Sequence, residues 1–161
     1  MAMVNTNEIL SDARQKHYAV GAFNIENMEF AQAVIWAAEE THSPVILQTS
    51  ANTLKYASPE MFISMVRTCA DTVRVPVAIH LDHGSTLLNI MDCVKDGYKS
   101  VMFNGLMLTY ERNVKQTRLV VGLCKSIGAS VEAELGAIAG KEDAPHESSS
   151  LYMEPNVARS L

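Results

Sequence analysis

Short β-like runs alternate with longer helical patterns along this chain, and that alternation most narrows what it can fold into. The β-like runs fall at 18–23, 44–48, 75–82, 100–103 and 130–134. Between them, 28–40, 59–71, 87–96 and 110–127 carry apolar residues at helical spacing. In the last of these, Val114, Leu119, Val120, Leu123 and Ile127 would line one face. A further helix is predicted at 6–16. Ser58-Pro59-Glu60 makes a good helix start, with an N-cap, a proline in the first turn and an acid that suits the helix dipole. Gly97 and Gly128 fall where helices should stop. One helix between successive strands, recurring about every 25–30 residues, is the βα rhythm, which brings parallel pairing and right-handed crossovers. Two architectures satisfy it, a doubly wound open sheet and a (β/α)8 barrel. A complete barrel takes ~250 residues and the chain has 161, so length alone favours the open sheet.

Composition removes several function classes. Apolar residues make up 48% of the chain, which suits one globular domain with a core. The net charge of −5 gives no footprint for nucleic acid or an anionic membrane. No apolar run reaches the length of a membrane span, and the first residues lack the basic-then-apolar order of a signal peptide. Cys69, Cys93 and Cys124 each fall in a predicted helix among apolar neighbours, and an odd count cannot all pair internally. Reduced, packed thiols and a cytoplasmic location are therefore expected.

Polar residues gather where the strands should end. Val75-Pro76-Val77-Ala78-Ile79 stops abruptly at His80-Leu81-Asp82-His83-Gly84. Asn24 follows the first run, Gln48, Thr49 and Ser50 the second, and Asn104 with Gly105 the fourth. Glu132 and Glu134 close the fifth, two apart and so on one face of a strand. In a parallel α/β fold these ends converge on one rim, the usual place for a site. Bland roles compete at several positions. Asn24 and Ser50 could cap the following helices, Gln48 could satisfy backbone, and His80 reads as a hydrogen-bonded core histidine. His17, His42 and His146 read as solvent-facing. Acids at strand ends beside His83 are harder to explain as structure, because an unpaired buried carboxylate is costly. Imidazole and carboxylate are also zinc-ligand chemistry. A zinc site built on His80 and His83 fits poorly, since strict alternation places residues three apart on opposite faces.

After Glu134 the rhythm breaks. Gly136-Ala137-Ile138-Ala139-Gly140-Lys141-Glu142-Asp143 is a glycine-punctuated loop, and an acidic, serine-rich stretch follows. Another helix is expected to begin near Tyr152, and the ending at Leu161 reads as an interruption of the domain.

Taken in order, Gly21-Ala22-Phe23-Asn24, Pro44-Val45-Ile46-Leu47-Gln48-Thr49-Ser50, Val75 to Gly84, Val131-Glu132-Ala133-Glu134-Leu135-Gly136, Gly140-Lys141-Glu142-Asp143 and Tyr152-Met153-Glu154-Pro155 resemble the N-terminal portion of the class II, zinc-dependent fructose- and tagatose-bisphosphate aldolases. The resemblance runs over essentially the whole chain. It implies a partial (β/α)8 TIM barrel, about the first five βα units with an N-terminal helix, as a single truncated domain over 1–161. It therefore replaces the open sheet that length favoured. It also implies reversible aldol cleavage of a ketose 1,6-bisphosphate to dihydroxyacetone phosphate and glyceraldehyde 3-phosphate, a step of carbohydrate metabolism and glycolysis. By motif match, His83 would be a zinc ligand, with Glu134 and the Asn104 position at the metal or its surroundings. Asp82 would handle the hydroxyl proton and Glu142 would assist proton transfer. Asn24, Gln48 and Ser50 would line the substrate end.

The chain departs from that pattern in named places. Asn104-Gly105-Leu106 stands where the family has an aspartate in an Asp-Gly-Ser or Asp-Ala-Ser segment, so shape is kept and charge lost. Met107-Leu108-Thr109 replaces the usual His-Leu-Pro, and Ala139 replaces a glycine. The family's two further zinc histidines and its phosphate-binding loops belong to later strands. The expectation is an aldolase-like polypeptide that is inactive alone and needs a complementary C-terminal half. The alternative is a degenerate, non-catalytic remnant or binding module without a complete zinc site. An opened barrel is further expected to expose its apolar interior and an edge strand, and so to self-associate.

Overall fold

The computed structural model describes residues 3–135 and Asn156. Within them the chain runs α1 (Thr6–Lys16), β1 (Gly21–Asn24), α2 (Met28–Glu40), β2 (Val45–Ser50), α3 (Thr53–Tyr56), α4 (Pro59–Ala70), β3 (Val77–Gly84), α5 (Leu87–Asp96), β4 (Ser100–Phe103), α6 (Tyr110–Lys125) and β5 (Ser130–Ala133). The five strands form one parallel sheet in the order β1-β2-β3-β4-β5. Strictly sequential order is the barrel arrangement. A doubly wound sheet would reverse its strand order partway and place helices on both faces. The preference from length alone for an open doubly wound sheet is thus corrected by topology.

Helix boundaries follow the sequence closely because their stop signals are local. Asn5 caps α1 in a capping box with Glu8, Ser58 caps α4 ahead of Pro59, and Thr86 and Thr109 cap α5 and α6. Gly97 ends α5 at φ 114°, a backbone setting that side chains with a Cβ rarely adopt. β1 starts three residues later than the apolar run at 18–23 suggests. His17 ends α1 in the left-handed conformation and the Tyr18 N–H donates back to the Ala13 carbonyl, so the chain is still completing a helix terminus there. The short α3 is an element the periodicity does not reveal, since four residues carry too little pattern. The loop 136–143 and the helix expected near Tyr152 lie outside the described residues.

Alternation along the strands divides the interior in two. Val45, Leu47, Val77, Ile79, Leu81, Val101 and Phe103 face outward into the main core with α2, α4, α5 and α6. Their neighbours Ile46, Gln48, Ala78, His80, Asp82, Ser100, Ser130 and Glu132 face the concave side. There Ile9 of α1 packs on Ile46 and Ala78, with Val4 and Val20 alongside. Helix α1 lies across the N-terminal ends of the strands: Val4 N–H donates to the Val77 carbonyl, and Asn5 Nδ2 to the Gly128 carbonyl. The concave face is therefore plugged below, and above α1 it carries polar side chains together with Leu10, Ala22 and Val131. An exposed edge strand is present, with all four β1 residues exposed. Among the described residues, no helix is long and apolar enough to cross a membrane.

Three buried hydroxyls seat α1. Thr6 Oγ1 lies 2.8 Å from Ser100 Oγ and 2.6 Å from Ser130 Oγ. Each is a small polar group that needs a partner once removed from water. Thr6→Val keeps the shape and strips both contacts, leaving the Ser100 hydroxyl with His80 and the Ser130 hydroxyl with the Lys99 carbonyl. It is expected to cost about 1–3 kcal/mol in a urea titration, and an unchanged midpoint would show that α1 is seated by its apolar contacts alone.

Candidate active site at the strand ends

A kink in β3 builds the site. Leu81 pairs with Val101 and Gly84 with Phe103, so β3 spends one residue more than β4 over this span. That extra residue is a β-bulge, and bulges re-aim side chains. His83 takes up the distortion with φ at 51°, in the left-handed region that residues with a Cβ avoid. Strict alternation, which would set His83 opposite His80, fails here for that reason. Gly84 sits where a Cβ would collide with the Met102 carbonyl oxygen, so the close approach of β3 to β4 requires glycine.

The bulge brings four predicted residues together. His83 Nε2 lies 3.8 Å from Asp82 Oδ1, and His83 Nδ1 lies 3.8 Å from Glu134 Oε2. Asn104 Nδ2 lies 3.1 Å from the same Nδ1. Asn104 Oδ1 already accepts the Leu106 N–H at 3.0 Å, which fixes the amide so that its NH2 faces the ring. An amide NH2 only donates, so Nδ1 accepts, and a neutral His83 carries its proton on Nε2. Asn24 Nδ2 donates to Asp82 Oδ2 at 3.4 Å. Glu134 is buried at 6% exposure although it lies beyond the end of β5, whereas the Glu132 side chain is 62% exposed. The two glutamates share a strand direction but differ sharply in environment.

Other predicted residues lie apart from this group. Gln48 lines a concave cavity of about 450 Å³ with His80, Glu132, Ser100 and Ser130, and Asp82 of the group above reaches its wall. Ser50 is held locally. Its Oγ accepts the Thr53 N–H at 3.1 Å and meets Thr53 Oγ1 at 2.9 Å, and that hydroxyl donates in turn to the Glu26 carboxylate at 3.0 Å. Ser50 thus holds the first N–H of α3 from the end of β2, although the N-cap of α3 is Asn52, and α2 is capped by Asn27 rather than Asn24. Glu142 and His146 lie outside the described residues.

His80 sits below the rim. Its Nδ1 is 2.6 Å from Ser100 Oγ, and its Nε2 faces Glu132 Oε2 at 3.5 Å. Burial pushes the ring down to about 4, opposed by Asp82 and assisted by the nearby His83. The Glu132 carboxyl is raised, first by desolvation on the concave face, then by Asp82, against the pull of His83. Ser100, Ser130 and Thr6, which continue the polar line from His80, went unnoticed in the sequence because serine and threonine at strand starts look like ordinary turn residues. Asn113 of α6, whose Nδ2 donates to the Glu134 carbonyl at 2.8 Å, was hidden inside a helical pattern.

Imidazole and carboxylates are zinc's ordinary donors, so the residues fit that ion in kind. They do not reach it in number: no group of three histidine, cysteine, aspartate or glutamate side chains placed to hold a metal is assembled among the described residues. Thiols offer no alternative nucleophile. Cys69, Cys93 and Cys124 are all buried and free, and Cys93 is pushed up to about 12 by burial, then by Asp92 and Asp96.

Comparison with known proteins adds the context of a family. The family model described as "Fructose-bisphosphate aldolase class-II" matches residues 4–161. A fructose-bisphosphate aldolase from Thermus caldophilus is 44% identical over 159 residues, covering 98% of this chain and 52% of its own. Another from Helicobacter pylori is 42% identical over 142 residues, covering 88% of this chain and 46% of its own. The chain thus spans about half the length of these curated relatives. The crystal structure of the YdjI aldolase from Escherichia coli K12 superposes with a TM-score of 0.78 at 35% identity, over 83% of this chain and 51% of that one. The five parallel strands and the helices between them are accordingly part of a (β/α)8 barrel.

The buried His80 generates a pH dependence of stability. Its folded-state value of about 4 lies below the ordinary 6.5, so between these values the unfolded chain binds more protons. Its contribution is complete above pH 6.5 and is lost as pH falls toward 4, by about 3 kcal/mol in total. In urea titrations across that window, His80→Gln should show a correspondingly shallower fall than the wild type. Parallel curves for the two proteins would mean that His80 does not titrate differently on folding.

Proposed function

This chain belongs to the class II fructose-bisphosphate aldolase family, and we propose that it supplies the first part of a zinc-dependent ketose-bisphosphate aldolase site. The observation that carries this reading is the bulge at His83. A strained, non-glycine backbone setting is retained at the one residue that gathers Asp82, Asn104 and Glu134 around an imidazole. The reaction would be reversible cleavage of fructose or tagatose 1,6-bisphosphate to dihydroxyacetone phosphate and glyceraldehyde 3-phosphate.

The residue roles follow from chemistry and placement. His83 would supply a nitrogen donor for the metal, with Glu134 and Asn104 at or around it. The chemistry such an ion would supply at these residues is Lewis-acid polarisation of the substrate ketone. Asp82, on the rim of the cavity and steadied by the Asn24 amide, would take the proton of the substrate hydroxyl as the neighbouring carbon–carbon bond breaks, and return it in the reverse direction. Glu142 would assist that transfer. Gln48 in the cavity wall, with Asn24 and Ser50, would hold the substrate. Because His83 is a single imidazole and three protein ligands are typical, the remaining nitrogen donors and the phosphate-binding loops would come from a complementary C-terminal portion, and the isolated chain would be inactive. The buried, high-pKa thiols suit a reducing compartment such as the cytoplasm. The exposed β1 edge suits either that complementary portion or self-association.

One observation favours a second reading, that of a non-catalytic remnant: Asn104 offers the site an N–H where a carboxylate would offer charge.

Co-expression with the C-terminal portion of the Thermus caldophilus relative separates the two. The expected outcome is a complex that cleaves fructose or tagatose 1,6-bisphosphate and stops when a chelator is added. Asp82→Asn should lower its rate roughly 10²–10⁴-fold, and His83→Ala should remove the bound zinc. A folded complex that holds no zinc and cleaves neither sugar would favour the remnant.

A further inference from the structure

We propose that Glu26 is a specificity-determining positioning residue: through Thr53 it leaves the Ser50 hydroxyl able only to accept, so that this corner of the site takes a hydroxyl of the ligand and turns away a phosphate. The proposal rests on the ketose-bisphosphate reading above, in which Ser50 meets the substrate. Ile25 puts Glu26 in reach. Its side chain is fully buried and its N–H donates to the Gln48 carbonyl at 2.9 Å, so the next residue arrives beside the end of β2. There the Glu26 carboxylate meets Thr53 Oγ1, which lies 3.0 Å from each of its oxygens.

Counting hydrogens fixes the direction of this chain of contacts. A hydroxyl has one hydrogen and two lone pairs, and a carboxylate only accepts. The Thr53 hydrogen therefore belongs to Glu26. Thr53 has none left for Ser50 Oγ, 2.9 Å away, so Ser50 donates in that pair. Ser50 Oγ also accepts the Thr53 N–H at 3.1 Å. Its hydrogen and one lone pair are engaged, and one lone pair remains. A sugar hydroxyl can donate to that lone pair. A phosphate presents acceptor oxygens and negative charge. It would meet the lone pair of Ser50, the Glu26 carboxylate one hydroxyl further on, and Asp82 opposite Ser50 in the register of β2 with β3. Lys55, the one cation of α3, donates to Asn52 Oδ1 at 2.8 Å. Both phosphates of a bisphosphate are thus left to other parts of the site. Glu26 acts through its neighbours and takes no part in the chemistry.

Hydroxyl exchange reads this arrangement without metal or sugar, so failure of the zinc or aldolase reading leaves the test intact. In the full chain labelled with ¹³C at serine and threonine Cβ, isotope splitting in mixed H2O and D2O gives the exchange rate of each hydroxyl. In the wild type, the Ser50 and Thr53 hydroxyls are both expected to exchange slowly. Glu26→Ala should let Thr53 turn its hydrogen to Ser50, and Ser50 exchange should rise on the order of tenfold, the equivalent of one net hydrogen bond, while Thr53 stays slow. Glu26 is exposed, so this change leaves the core untouched. Thr53→Val should free the Ser50 hydrogen from the other side, and it decides the matter should Glu26→Ala fail to fold. Inorganic phosphate then probes selectivity, followed at the Thr53 amide that donates to Ser50 Oγ. It should leave the wild-type resonance in place and shift that of Glu26→Ala. A merely structural Glu26 would lower stability and leave Ser50 exchange unchanged. That result, rapid Ser50 exchange already in the wild type, or equal responses of the two proteins to phosphate overturns the proposal.

Discussion

The outer helical layer is the constraint on which everything else rests. Parallel strands covered by helices on one side bury every second side chain against them, and here those positions are Val45, Leu47, Val77, Ile79, Leu81, Val101 and Phe103. Once those residues are committed outward, the residues between them have nowhere to go but the concave side. Gln48, His80, Asp82, Ser100 and Glu132 converge there as a by-product of apolar packing rather than through attraction for one another. Burying apolar surface yields on the order of 25 cal/mol per Å², and this offsets the cost of gathering so many polar groups on one face.

Against that regular frame, the bulge at His83 stands out as a local exception. The frame fixes Asp82 by alternation, but alternation alone would have turned His83 into the outer core. One extra residue and a left-handed backbone redirect the ring toward Asn104 and Glu134. A non-glycine residue in that conformation costs on the order of 1 kcal/mol or more, and the surrounding pairing of β3 with β2 and β4 holds it in place.

How far the sequence revealed this depended on how local each signal was. The bounds of α1, α2 and α5 were legible from helical spacing and, for α5, from the stop at Gly97, whereas the caps Asn5, Asn27 and Thr86 emerged only in the structure. The polar strand ends were visible because Asp82-His83 and Glu132-Ala133-Glu134 interrupt apolar runs. Sequential strand order was not legible from length, which pointed to the wrong architecture; only the resemblance in motif order corrected it. Pairwise facts across the fold were out of reach. Nothing in the chain announces that Thr6 meets Ser130, that Asn113 reaches Glu134, or that Ser50 answers to Glu26 through Thr53. Each joins residues far apart in the chain, and a periodicity argument sees only one element at a time.

The placement of α1 carries a consequence for traffic. With Ile9 and Thr6 packed over the strand starts, the described hollow has a floor. Traffic through that end is barred, and whatever meets Asp82 arrives from the opposite end or across the open flanks of the sheet.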